Sequence, residues 1–219
     1  MVDEFSPNVS YEEAPLVPNW GGRVEEDGKN WYAARLFTAR QHEIVDFLTA
    51  KGLSCFVPME YRDVMRAEKL VKHVLMPVVR NLIFIRKDYS EQETSRILAD
   101  VPYKLSILRK AKDNPGYYEI PHWQMLEFQL MCNPELEMRK YLSGDEARLK
   151  TGTPVSVEHG PLKGLSGKLV RSSKKYYLLK EVPGMAVMIK VSRWCCKPLV
   201  LSRGVQSSAS PCVRPDSER

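Results

Sequence analysis

The soft metal ligands and strongest nucleophiles among the side chains are five cysteines, Cys55, Cys132, Cys195, Cys196 and Cys212, and four histidines, His42, His73, His122 and His159. Their spacing supports neither role. No C-x-x-C pair occurs, no two histidines stand at i, i+4, and an odd number of cysteines does not make a disulfide framework. Reduced thiols are therefore expected, with Cys55, Cys132 and Cys195 buried or half-buried. The chain has no G-x-G-x-x-G, P-loop, H-E-x-x-H or nucleophile-elbow motif. These absences predict a protein that is not an enzyme and carries no metal or cofactor.

What remains is the chemistry of charge. The net charge is +6, but residues 1–29 hold seven acids and two bases, net −5, which leaves +11 on the other 190 residues. A basic folded region behind an acidic leader suggests a polyanion as partner, most economically nucleic acid. Lys163, Lys168, Arg171, Lys174 and Lys175 form one basic cluster. It could touch RNA, or it could be the ordinary lysine content of solvated turns.

The elements that must position these groups can be read in chain order. Residues 1–29, with Pro7, Pro15, Pro18 and a Gly21-Gly22 pair, have no apolar period and read as a flexible acidic leader. Residues 31–37 (WYAARLF) read as a strand. Thr38 and Gln41 form a capping box for a helix whose face carries Ile44, Phe47 and Leu48 and which Gly52 ends. A second strand is expected over 53–59, an exposed charged hairpin or loop over 60–72, and a central strand over 81–86. Ser90 and Glu93 make another capping box, Ile97 and Leu98 lie on its helix, and residues 104–109 add a strand. Pro121 opens a third helix. An α+β domain over 30–133, with helices against one antiparallel sheet, follows from that order. Residues 134–150, strongly charged around Gly144, are expected to be a linker.

Residues 153–169 (TPVSVEHGPLKGLSGKL) differ in kind. Val155 and Val157 alternate with polar residues, and glycines at 160, 164 and 167 punctuate a tight connection before extended character resumes. Each such glycine supplies a positive φ or a close backbone approach. Further short strands are expected near 168–171, 176–179 and 186–191, and short strands at even spacing imply a small β-barrel over 151–200. Residues 201–219 read as a disordered tail.

An N-terminal α+β domain beginning Trp31-Tyr32, followed by Val155-x-Val157-x-x-Gly160-Pro161-Leu162-x-Gly164-x-x-Gly167, resembles the NusG family of transcription elongation factors. Such factors consist of a NusG N-terminal domain and a KOW domain, an SH3-like barrel. The resemblance covers residues 30–200 and is most similar to the specialised RfaH-like and UpxY-type antiterminators of capsular polysaccharide operons. A cytoplasmic, monomeric protein is expected, and the resemblance implies that it grips the clamp helices and gate loop of RNA polymerase and carries elongation past pause and termination sites. Favouring one of two states of a partner in this way needs no catalytic residue.

By position, the resemblance assigns polymerase contact to Leu82, Phe84, Thr94 and Ser95. It assigns contact with the non-template DNA strand to Phe37, Thr38, Arg40 and Gln41, an aromatic, a hydroxyl, a guanidinium and an amide suited to bases and phosphates. The chain departs from the pattern at Leu82 and Arg35, where the family carries tyrosines, and at Val191-Ser192-Arg193-Trp194, which lacks the phenylalanine and glycine of the family loop. The competing expectation is an RNA-binding or ribosome-associated KOW protein, with nascent RNA or the ribosome as partner. No stretch approaches the roughly 18 apolar residues of a membrane span, and no basic segment followed by an apolar one opens the chain.

Overall fold

The computed structural model describes residues 28–66, 69–110, 116–136 and 138–199, with the backbone alone for 64–66 and 69–73. Nearly all of the expected leader and the whole expected tail lie outside the described residues. In chain order the elements are β1 (Trp31–Leu36), α1 (Gln41–Ala50), β2 (Cys55–Phe56), β3 (Met59–Arg66), β4 (Lys69–Pro77), β5 (Leu82–Arg86), α2 (Glu91–Ala99), β6 (Leu105–Ile107), β7 (Glu119–Ile120) and α3 (His122–Met131). There follow β8 (Arg139–Ser143), α4 (Gly144–Arg148), β9 (Thr153–Val157), β10 (Ser166–Ser172), β11 (Lys175–Val182), β12 (Met185–Lys190), a 3₁₀ turn at Arg193–Cys195, and β13 (Cys196–Pro198). The architecture is mixed α and β.

The first sheet is antiparallel, in the order β2-β5-β1-β6, with β7 also on β1. Its two middle strands are apolar on both faces, so the alternation of side chains splits each strand between two cores. Tyr32 and Ala34 lie opposite Ile85 and Ile83 and bury themselves under Ile44 and Leu48 of α1. Trp31, Ala33, Leu82 and Phe84 share a core with α3 and with the second sheet. Helix α2 starts where expected, the Ser90 hydroxyl accepting the Glu93 N–H at 3.2 Å, which is the Ser90 half of the expected capping box. The charged stretch after residue 59 is a two-stranded hairpin, β3 with β4.

The second sheet is also antiparallel, in the order β13-β9-β10-β11-β12-β8. Here the structure corrects two expectations. Residues 134–150 are not simply a linker, because β8 pairs with β12 along its whole length and α4 follows under a Ser143–Glu146 capping box. And the sheet is not a closed barrel: among the described residues no ladder joins β13 to β8, so both are edges. The turn between β11 and β12 packs against the first sheet. Gly184, at φ +92°, brings its backbone so close to Leu82 that an added Cβ would lie 3.0 Å from that side chain.

Candidate functional site

The residues assigned to DNA lie where β1 runs out into α1. Phe37 follows the strand and is 58% exposed. Its N–H donates to the Lys104 carbonyl at 3.0 Å, which ties it to the neighbouring β6 edge, and the Lys104 ammonium stands 5.4 Å from its ring centroid. Arg40 is the N-cap of α1 and is exposed. Its guanidinium donates to Glu43 at 3.2 Å and to the Tyr103 hydroxyl at 3.3 Å, and lies 5.8 Å from the Tyr103 ring centroid. The hydrogen bond to Tyr103, then the Glu43 carboxylate, push the Arg40 pKa above its ordinary value, so the group stays a cation. The Tyr103 hydroxyl in turn donates to Glu43.

Thr38 and Gln41 depart from expectation. The Thr38 hydroxyl accepts the Arg40 N–H at 3.2 Å, a turn two residues long, and α1 begins later than a cap at Thr38 would start it. Gln41 is buried. Its amide donates to the carbonyls of Val79 at 3.1 Å and Leu82 at 2.8 Å, satisfying backbone acceptors ahead of and inside β5. The exposed set is therefore Phe37, Arg40 and the half-exposed Thr38, joined by Lys104 and Tyr103. Stacking on Phe37 and charge from Lys104 and Arg40 suit a polynucleotide, while Glu43 offsets part of that charge. Lys104 and Tyr103 escaped the sequence reading because the contact depends on β6 pairing with β1.

The residues assigned to polymerase are mostly interior. Phe84 has no exposed surface; its ring centroid lies 5.4 Å from Phe128 of α3 and 6.2 Å from Phe56. Leu82 is buried beneath Gly184, and Thr94 is fully buried. Ser95 is half-buried, its hydroxyl donating to the Glu91 carbonyl at 2.8 Å and sharing a 2.9 Å hydrogen bond with Tyr117. No open groove is formed by these four residues in this arrangement, because α3 and the second sheet occupy the face that Leu82 and Phe84 present.

A polar lock missed in the sequence joins the halves there. Glu127 of α3 accepts from the Ser166 N–H and hydroxyl, both at 3.1 Å, and is ion-paired with Lys180 of β11; both charges are buried. The Lys180 ammonium also stands 4.7 Å from the Trp123 ring centroid. The pair lies 53 positions apart in the chain, so no local pattern announced it.

The glycine-rich motif is built as its residue types require. Val155 and Val157 are buried, Pro161 is exposed and Leu162 half-buried. Gly160 and Gly164 have φ of +88° and +92°, and a Cβ on Gly167 would come within 2.7 Å of the Leu179 carbonyl. The four described cysteines are free; burial, then the charge of Asp88, pushes the Cys55 thiol up to about 12, which removes it as a nucleophile. Among the described residues no cluster of His, Cys, Asp and Glu could hold a metal ion, and no helix is long and apolar enough to cross a membrane.

Residues 29–129 match the NusG family model, described as "Transcription termination factor nusG". A chain of the solved structure "Crystal Structure of MjSpt4:Spt5 complex conformation A" is similar at 14% identity over 77% of this chain and 97% of that chain, with a TM-score of 0.26. No curated protein matches the sequence.

Proposed function

We propose that this chain is a NusG-type transcription factor that binds RNA polymerase and suppresses pausing and termination. The observation that carries the reading is the NusG match across residues 29–129, which takes in the first sheet, α1, α2 and most of α3. Regulation of a polysaccharide-type operon, and the RfaH-like or UpxY-type assignment, rest on the resemblance in sequence.

We assign the polymerase-facing domain to 30–133 and a KOW domain to 151–200, with β8 and α4 of the intervening segment added to the latter's sheet. The geometry of Gly160, Gly164 and Gly167 supports the KOW reading. Of the polymerase residues, Leu82 and Phe84 reach a partner only if α3 and the second sheet leave the first sheet; Ser95 is partly open already, and Thr94 serves the interior. For the DNA strand, Phe37 and Arg40 are the contacts we retain, with Thr38 shaping the turn between them and Gln41 holding β5.

The test is co-purification of the full chain with RNA polymerase from the same cell, followed by transcription in vitro across a terminator. Retention on polymerase and increased read-through are expected. Co-sedimentation with ribosomes or RNA, without polymerase, overturns the reading in favour of a translation-associated KOW protein.

A further inference from the structure

The end of the second sheet carries a surface separate from the residues assigned to polymerase. Trp194, in the 3₁₀ turn after β12, is 92% exposed, an unusual position for the largest apolar side chain. It lines an open depression of about 610 Å³ together with Tyr176, Lys174, Lys175, Lys190 and Arg193. The Tyr176 ring is flanked by two guanidinium groups, Arg171 at 5.8 Å and Arg193 at 6.0 Å from its centroid. No acidic residue lines the depression. Among the described residues, no ion pair engages Lys174, Lys175, Lys190 or Arg193.

The backbone presents this charge at a conformational cost. The β10–β11 hairpin turns through Ser173 and Lys174, at φ 47° and 62°. A two-residue turn with both central φ angles positive favours glycine or asparagine, so a lysine there is held against its preference. Two aromatic rings, one fully open, set among four unpaired cations with no carboxylate between them, match the bases and phosphates of an unpaired strand.

We propose that Trp194, Tyr176 and the cations around them form a binding site for a single-stranded polynucleotide, bases stacking on Trp194 and phosphates meeting Lys174, Lys175, Lys190 and Arg193. The proposal is independent of polymerase and of the Phe37–Arg40 surface.

Fluorescence anisotropy of the full chain with a labelled ten-nucleotide RNA, the same sequence as DNA, and a duplex tests it. Both single strands are expected to bind more tightly than the duplex, and the stronger of the two arms identifies the natural strand. Trp194→Ala is expected to weaken binding about tenfold, the range for loss of one stacking platform, without changing the melting temperature. Lys190→Ala with Arg193→Ala is expected to lower the slope of log affinity against log salt. Lys174→Gly separates function from fold, since it relieves the backbone strain and is expected to melt no lower than the parent while binding more weakly. Equal affinity for the duplex, no binding of either strand at low salt, or affinities unchanged in Trp194→Ala and the double variant would overturn the proposal. Capture of an acidic protein by this surface in place of an oligonucleotide would do the same.

Discussion

Phe84 and Phe37 sit one strand apart on the first sheet and have opposite fates. Phe84 is enclosed by Phe56, Phe128 and the core shared with the second sheet, whereas Phe37 stands in solvent with a lysine over its ring. Resemblance assigns both to contact with a partner, yet resemblance transfers a residue type and a strand position without the layer stacked upon them. The buried face couples the halves of the molecule, and the open end is free to meet a ligand without any rearrangement.

The comparison breaks most directly at Phe84. Phe84→Ala should destabilise the chain by about 4 kcal/mol, the cost of deleting a ring from a packed core, measured by urea unfolding with parallel polymerase pull-down. A small stability loss with a selective loss of polymerase binding would mean that the face is open in solution. Next in size is Glu127→Ala, which leaves Lys180 buried without its partner and should cost about 3 kcal/mol. Replacing both charges, Glu127→Leu with Lys180→Met, should recover most of that loss. If the single and double variants unfold alike, the pair does not join α3 to β11 in solution.

What was legible in the sequence was whatever only one or a few residue types can do. Gly160 and Gly164 are glycines because of positive φ, Gly167 because a carbonyl lies beneath it, and Ser90 caps α2 because its hydroxyl replaces a missing helical acceptor. Strand β8 escaped because an edge strand needs no apolar alternation: its Arg139 serves carbonyls of Cys132 and Pro134. Closure of the second sheet was equally invisible, since period and turns encode strands but not whether the first and last of them pair. Alternation likewise set Leu82 and Phe84 on one face and carried no information on what covers it. Thr38 had two hydrogen-bonding options of similar strength, the helix cap and the short turn, and only the position of α1 against β5 decides between them.

A third change separates two neighbours at the open end. Gln41→Ala should cost about 1 to 2 kcal/mol, because the Val79 and Leu82 carbonyls lose a buried donor. Any loss of activity should then follow thermal stability on every template alike. A template-specific defect with unchanged melting would show that this amide reads DNA after all.

The smallest structural effect and the most selective functional one are expected at Arg40. Its contacts with Glu43 and Tyr103 are solvated, and exposed ion pairs contribute little to folding, so Arg40→Ala should leave the melting curve unchanged. If the chain acts as proposed, the variant retains polymerase binding and loses its response to one DNA element, because Phe37 still stacks but the cation beside it is gone. Glu43→Gln sharpens the point from the other side. It removes the carboxylate that offsets the guanidinium while preserving side-chain shape, and should strengthen the response to the same element. Pausing that is unchanged in both variants on every template would leave the open end without a DNA role, and the contrast between Phe37 and Phe84 would then be one of burial alone.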